Sequence, residues 1–76
     1  MSDKIGFIGY GKMADAIGVA LHESLSDQYS MIATEPNSER QAWIKSDRQF
    51  VDLLSLDALV HQSSVVFLAI KQKNNR

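Results

Sequence analysis

Short apolar runs alternate with amphipathic segments along the chain, and this pattern predicts strands and helices in turn. The apolar runs are bounded by glycine or polar residues, as buried strands are. The segments between them carry apolar residues at helical spacing. The predicted strands are 4–9, 30–34, 49–52 and 64–70, and the predicted helices are 12–25, about 38–45 and about 55–62.

The alternation of strands and helices predicts an α/β fold with a Rossmann-like parallel sheet. Parallel strands need crossover connections, which are right-handed and place helices on the faces of the sheet. The expected architecture therefore has three layers, α/β/α. The run 64–70 is β-branched and apolar throughout, as expected for a parallel strand that is covered on both faces.

Size and composition exclude several classes of function. The 76 residues form at most one domain, and 45% hydrophobic with 22% charged residues is typical of a globular chain. A net charge of −1 gives no field that would attract nucleic acid or an anionic membrane. The absence of cysteine excludes thiolate metal sites and cysteine nucleophiles. No signal peptide or membrane-spanning stretch is recognisable, so the expected location is the cytoplasm.

Three small residues lie where the first predicted strand gives way to the first predicted helix, in the pattern G-x-G-x-x-A. In such a unit Gly9 permits the tight turn, Gly11 leaves room for a pyrophosphate, and Ala14 lets the helix pack closely on the strand. The helix N-terminus then offers free N–H groups and a partial positive charge to the phosphates. Lys12 is placed to add a charged contact. The pattern predicts binding of a nicotinamide dinucleotide, NAD or NADP.

The second predicted strand ends in an acid, Glu35, which lies about 20 residues past Ala14, near the position that binds the ribose hydroxyls. In that role Glu35 would repel a 2′-phosphate and favour NAD. Asn37, Ser38 and Arg40 support the opposite interpretation, because they lie at a helix start and could hold a 2′-phosphate. Asn37 or Ser38 is also expected to cap that helix. The sequence leaves the choice between NAD and NADP open.

The other candidate residues have structural interpretations. His22 and His61 have no partner at metal-ligand spacing, so both are expected at the surface and no metal site is predicted. Trp43 and Ile44 are expected to pack the second helix on the core. Met13 belongs to the core, to the wall of the cofactor site, or to both. No catalytic residue is predicted, because no Ser-His-Asp set or carboxylate pair stands out.

The segments KIGFIGYGKMADAI and SVVFLAIKQ resemble the start and the fourth strand of pyrroline-5-carboxylate reductase. The turn TEPNSER falls where that family has its variable, cofactor-selecting turn, and the resemblance covers essentially all of residues 4–71. It implies an oxidoreductase of proline biosynthesis that reduces 1-pyrroline-5-carboxylate to L-proline with NAD(P)H. Two positions depart from the family, which usually has asparagine at Lys12 and proline at Gln72.

The resemblance also implies cofactor-binding positions. They are Gly9, Gly11, Lys12, Met13, Glu35, Asn37, Ser38, Ala69 and Lys71. The first four would form the pyrophosphate loop, the next three would face the adenosine ribose, and the last two would lie beside the ribose near the nicotinamide. Family members continue into a helical dimerisation domain that holds the substrate site. Residues 1–76 are therefore expected to be the N-terminal part of an NAD(P)-binding Rossmann domain, inactive when isolated.

Other functions and an assembly follow from the same features. A non-catalytic NAD(P)-binding module is one alternative, and another is an oxidoreductase of the β-hydroxyacid dehydrogenase type, which usually has glycine where Ala14 stands. In such folds the strand order is 3-2-1-4, with the cofactor crevice between strands one and four. A sheet truncated after the fourth strand leaves 64–70 as an apolar edge. Exposed edges pair with other chains, so a homodimer through 64–70 is predicted.

Overall fold

The computed structural model describes residues 3–25 and 27–69. In chain order its elements are β1 (Asp3–Ile8), α1 (Lys12–Leu25), β2 (Tyr29–Thr34), α2 (Ser38–Asp47), β3 (Val51–Leu53), α3 (Leu56–Gln62) and β4 (Val65–Leu68). Within this part of the chain the four strands form one sheet in the order β3-β2-β1-β4, and each neighbouring pair is parallel. The predicted α/β, Rossmann-like fold and its strand order are confirmed. The third strand begins later than predicted, because Val51 N–H first closes a turn onto the Arg48 carbonyl at 2.9 Å.

The strand register divides the side chains of the sheet between two faces. In the pairing of β1 with β2, Ile5 lies beside Met31 and Gly6 lies beside Ile32. Successive residues of a strand point to opposite faces, so the Ile5 face and the Gly6 face are separate. Helices α1 and α2 cover the Ile5 face and complete the main core there. That core comprises Ile5, Phe7, Tyr10, Ala14, Met31, Ala33, Ile44 and Val51.

Helix α3 covers the Gly6 face and supplies the third layer. Leu59 of α3 is fully buried. A Cβ added to Gly6 would lie 2.8 Å from Leu59 Cδ2 and would also collide with the Ser63 hydroxyl. A glycine on β1 therefore lets α3 approach the sheet closely, and the helices on both faces give the expected α/β/α arrangement.

Strand β4 differs in burial from β1, with which it pairs. All four of its residues are exposed, from 36% at Phe67 to 74% at Leu68, whereas Phe7 on β1 is fully buried. The prediction of a strand covered on both faces is therefore wrong, because the described helices pack mainly on β1, β2 and β3 and leave β4 exposed. Phe67 gains partial cover by stacking on Phe7, with the ring centroids 5.5 Å apart. The exposed edge agrees with the sequence expectation, and a homodimer through 64–70 stays a prediction.

The helical packing agrees with the sequence except at one histidine. Ile44 is fully buried, and Trp43 packs half-buried against the main core. His61 is exposed, with Nδ1 2.8 Å from the Asp57 carbonyl oxygen. His22 is only partly exposed, because its ring stacks on Phe50 with the centroids 4.0 Å apart. Among the described helices, none has the length and apolar character needed to cross a membrane.

Candidate functional site

The chain leaves β1 through a glycine in the left-handed backbone region. Gly9 has φ 86°, a conformation that costs other residues energy because of their Cβ. Its N–H donates to the Thr34 carbonyl at 2.8 Å, which ties the turn to the end of β2. Helix α1 begins directly afterwards, and its first hydrogen bond runs from Asp15 N–H to the Gly11 carbonyl at 2.9 Å. The amides of residues 12–14 therefore have no acceptor within the helix.

The N-terminus of α1 also lacks a capping side chain. In α2 the side chain of Asn37 accepts the Arg40 N–H at 2.9 Å, so Asn37 rather than Ser38 is the cap. In α3 the Ser55 hydroxyl accepts the Ala58 N–H at 3.2 Å. Helix α1 has Gly11 at the equivalent position, and glycine has no side chain to offer. Within residues 3–25 and 27–69 no acceptor is recorded for its first N–H groups, which lie at the carboxyl end of the sheet, where anions bind favourably.

The space around Gly11 distinguishes it from the other glycines of the chain. A Cβ at Gly18 would lie 2.5 Å from the Tyr10 hydroxyl, and one at Gly6 would collide with α3. Gly9 is required by its positive φ. A Cβ at Gly11 would meet no atom within 4 Å, and Gly11 does not have a positive φ. The described chain itself gives no reason for glycine there, so the position fits a ligand that must approach the backbone.

Glu35 links the glycine-rich loop to the turn before α2. Its Oε1 accepts the Tyr10 N–H at 2.7 Å, and its Oε2 accepts the Asn37 N–H at 3.1 Å. Each carboxylate oxygen can accept a further hydrogen bond, so these contacts leave room for a ribose hydroxyl. Gln41 also holds Glu35 in place, because its side-chain amide N–H donates to the Glu35 backbone carbonyl. The carboxylate is thus fixed beside the loop, and its contact with a ribose stays a prediction.

Arg40 also contacts the glycine-rich loop. Its Nη2 donates to the Tyr10 carbonyl at 2.8 Å, and its guanidinium lies 4.4 Å from the centroid of the Trp43 ring. Its Nε is buried and has no hydrogen-bond partner among the described residues. A buried donor without an acceptor is unfavourable, so an oxygen of a bound ligand that reached this N–H would relieve that cost.

Two adjoining grooves meet at the loop. The larger has a volume of about 720 Å³ and the smaller about 250 Å³, and Gly11, Arg40 and Ala69 line both. They open where β1 and β4 end, at the crevice in which sheets of this strand order bind ligands. The larger groove has the size of a small-molecule site. Its lining residues are Phe7, Gly11, Lys12, Met13, Ala14, Ile17, Arg40, Phe67, Leu68 and Ala69.

Comparison with known families decides the class of protein. A family model described as NADP oxidoreductase, coenzyme F420-dependent, matches residues 4–76. The chain belongs to this family. Its members are oxidoreductases that bind NAD(P), and the family includes the N-terminal part of pyrroline-5-carboxylate reductase. No curated protein and no solved structure matches the chain.

The NAD(P) oxidoreductase fold brings most of the predicted site residues together. Of the predicted cofactor-binding residues, those that line one or both grooves are Gly9, Gly11, Lys12, Met13, Glu35 and Ala69. Met13 is 77% exposed, so it belongs to the groove wall and not to the core. Asn37 and Ser38 lie outside the grooves, Asn37 as the cap of α2 and Ser38 as its exposed first residue. Lys71 lies outside the described residues.

Tyr10, which anchors the loop of this oxidoreductase domain, is not among the site residues predicted from the sequence. Its side chain is fully buried, and its ring meets Phe7 edge to face with the centroids 5.4 Å apart. Its hydroxyl donates to Asp15 Oδ1 at 3.1 Å. Burial, followed by the nearby Asp15 carboxylate, raises the pKa of Tyr10 well above its ordinary value. A tyrosine between two glycines gives no sequence signal of burial, because its environment is formed by residues of α1 and α2.

Proposed function

We propose that this chain is the dinucleotide-binding part of a reductase of the pyrroline-5-carboxylate type, which reduces 1-pyrroline-5-carboxylate to L-proline. Membership of the NAD(P)-dependent oxidoreductase family supports the class of reaction and cofactor. The resemblance of residues 4–17 and 64–72 to that reductase supports the substrate. When bound, the reduced nicotinamide supplies the hydride.

The open space over Gly11 is the observation that supports this proposal most strongly. It lies beside the amides of residues 12–14, which have no acceptor within α1, so a pyrophosphate there would receive several N–H donors. Lys12 is exposed at the start of α1 and adds positive charge to the same place. Glu35, fixed by two backbone N–H groups, accepts from the adenosine ribose. Ala69 lies on the side of both grooves where the chain continues from β4.

NADPH is the proposed reduced form. Arg40 lines both grooves, and its buried Nε–H has no partner within the described part of the chain. A 2′-phosphate is the cofactor group that matches a guanidinium. Glu35 opposes this preference through its charge, although both of its oxygens already accept backbone N–H groups. Replacement of Arg40 by methionine is expected to reduce affinity for NADPH more than affinity for NADH.

A titration of the chain with NADPH and with NADH tests cofactor binding. Binding heat and the emission of Trp43 are followed for the wild type and for Gly11→Val, whose side chain fills the open space. Ser24→Val is the matched control, because it adds the same side chain at an exposed position of the same helix. Saturable binding that Gly11→Val abolishes and Ser24→Val preserves supports the site. Equal binding by both variants, with helicity unchanged in circular dichroism, contradicts it.

The substrate requires a separate experiment. Hydride transfer needs the acceptor within about 3–3.5 Å of the nicotinamide, and the described residues form the dinucleotide side of the crevice. We expect the polypeptide alone to bind NADPH without forming proline. A chimaera in which residues 1–76 replace the equivalent segment of a complete pyrroline-5-carboxylate reductase should regain proline formation. A chimaera that binds NADPH but is active only when joined to a β-hydroxyacid dehydrogenase would contradict the assigned substrate.

A further inference from the structure

A closed ring of contacts, the loop ring, is formed by five residues: Tyr10 of the glycine-rich loop, Asp15, Arg48, Trp43 and Arg40. The Tyr10 hydroxyl donates to Asp15 Oδ1 at 3.1 Å. Arg48 binds the same carboxylate twice, from Nε to Oδ1 at 2.7 Å and from Nη2 to Oδ2 at 3.1 Å. The guanidiniums of Arg48 and Arg40 lie 4.7 Å and 4.4 Å from the centroid of the Trp43 ring. Arg40 Nη2 closes the ring by donating to the Tyr10 carbonyl at 2.8 Å.

This ring joins the loop to both helices on its face of the sheet. Asp15 lies in the first turn of α1, and Trp43 lies in α2. Arg48 is the C-cap residue of α2, directly after its last residue, and its own N–H donates to the Ile44 carbonyl at 2.9 Å. Its backbone is therefore fixed, and its planar guanidinium makes a two-bond contact with one defined geometry.

Tyr10 is the residue of the loop on which these contacts converge. Its hydroxyl, N–H and carbonyl are bound by Asp15, Glu35 and Arg40, respectively. The peptide groups on both sides of Tyr10 are thus held in place, and the position of the adjoining Gly11 depends on them. A change at Arg48, on the far side of the ring, would therefore alter the position of the loop.

We propose that Arg48, which lines neither groove, is a positioning residue for the dinucleotide site. It orients Asp15 so that the carboxylate holds the Tyr10 hydroxyl, and it supports Trp43, on which Arg40 lies. The side chains of Arg48 and Asp15 are 28% and 18% exposed, and ion pairs near the surface contribute little to stability. Loss of Arg48 should therefore affect the loop more than the free energy of unfolding. The effect on affinity rests on the proposed cofactor binding, whereas the effect on the loop does not.

Three variants measure the role of Arg48. Arg48→Met removes the contact, and Arg48→Lys keeps the charge but loses the two-bond geometry. Lys45→Met is the matched control, since it removes the same charge from an exposed position of α2. Arg48→Met should weaken NADPH binding about tenfold, with Arg48→Lys rescuing it only partly. Lys45→Met should bind as the wild type does, and the urea midpoints of all three should stay close to that of the wild type.

Hydrogen exchange gives a readout that does not depend on the cofactor. In Arg48→Met the Tyr10 amide, which is bonded to Glu35, should exchange about tenfold faster, while the amides of β1 keep their protection. A second measurement tests whether Arg48 acts through Tyr10 and Arg40. In a chain that already carries Tyr10→Phe and Arg40→Met, the further change Arg48→Met should have little effect on affinity.

The outcomes separate the two proposals. Absence of NADPH and NADH binding by the wild type, together with faster Tyr10 exchange in Arg48→Met, would contradict the proposed function and support the positioning role. Unchanged Tyr10 exchange in that variant would overturn the positioning role whether or not cofactor binds. Losses of affinity that merely follow a falling urea midpoint would also overturn it, because they would indicate a structural role alone.

Discussion

In α2 and α3 the side chain of the N-cap residue accepts a backbone N–H of the first turn, whereas α1 has a glycine at that position and no such side chain. The side-chain oxygen of Asn37 accepts the Arg40 N–H of the first turn of α2, and the Ser55 hydroxyl oxygen accepts the Ala58 N–H in α3. Gly11 stands at the same position of α1 and has no side chain to do so. Glycine at this position costs a helix only about a few tenths of a kcal/mol relative to a capping residue, so the fold tolerates a start of α1 that offers no side-chain acceptor. The difference fits the proposed dinucleotide, whose phosphates would accept the first N–H groups of α1.

The glycines differ in the space that is available for a Cβ atom. Gly6 and Gly18 are explained by neighbours within the chain, which would collide with a Cβ. Gly11 is explained by no described neighbour. Substitution at the first two should therefore affect folding, and substitution at the third should affect binding.

The largest expected effect comes from giving α1 the cap that it lacks. Gly11→Asp supplies a side-chain oxygen and a negative charge at the helix start, which should stabilise the fold by about 0.5–1 kcal/mol. The same carboxylate occupies and repels the phosphate position, so NADPH affinity should fall by at least about 100-fold. Urea unfolding and a calorimetric titration measure the two effects. Stabilisation without loss of affinity would show that the dinucleotide does not use this helix end.

A large effect on folding is expected at Gly18. The Cβ of Gly18→Ala would lie 2.5 Å from the Tyr10 hydroxyl, so the tyrosine must move and its bond to Asp15 is lost. Crowding of this kind typically costs about 1–3 kcal/mol, measurable as a lower urea midpoint. Tyr10→Phe should restore part of the loss, because the remaining ring atoms lie 3.4 Å from the added methyl group. An equal loss in both backgrounds would show that the hydroxyl is not the cause.

The features that local patterns determine could be predicted from the sequence. The order of strands and helices follows from the spacing of apolar residues. The sequence also predicts that Asn37 or Ser38 caps α2, and the structure selects Asn37. The left-handed turn follows from Gly9 at the end of a strand. These features depend on residues that are close together in the chain, so the sequence contains the information directly.

The features that depend on distant neighbours could not be predicted. Strand β4 has the composition of a buried strand, but burial depends on what lies beside it. Asp15 and Arg48 are 33 positions apart and meet only because α1 and the end of α2 pack on the same face. Met13 adjoins the apolar row of α1, yet its rotation about the helix axis places it at the groove. The ring around Tyr10 is a product of the fold and has no counterpart in a linear pattern.

A smaller effect is expected from removing a cap that is present. Asn37→Ala should cost about 1 kcal/mol of stability, because the Arg40 N–H loses its acceptor at the start of α2. Asn37→Ser should retain most of it, since serine caps nearly as well. NADPH affinity should change little if Asn37 acts only as the cap. A loss of affinity in Asn37→Ala that exceeds the loss of stability would instead assign Asn37 to the ribose side of the site.

The smallest effect is confined to alkaline pH and concerns the Tyr10 anchor. Burial and Asp15 raise the pKa of Tyr10 in the folded chain above the value of about 10 that an unfolded tyrosine has. Above pH 10 the unfolded state therefore releases this proton while the folded state retains it. Stability contributed by Tyr10 is complete below pH 10 and is lost as the pH rises towards the raised pKa. Urea midpoints measured from pH 8 to 11 should fall more steeply for the wild type than for Tyr10→Phe.

The other tyrosine of the chain provides the control for that measurement. Tyr29→Phe removes a hydroxyl that is not part of the loop ring. The urea midpoint of this variant should therefore fall with pH more steeply than that of Tyr10→Phe. Equal slopes for the wild type and Tyr10→Phe would show that the Tyr10 hydroxyl ionises as readily in the folded chain as in the unfolded one. The buried bond to Asp15 would then be too weak to anchor the loop, and the difference between α1 and the two capped helices would rest on Gly11 alone.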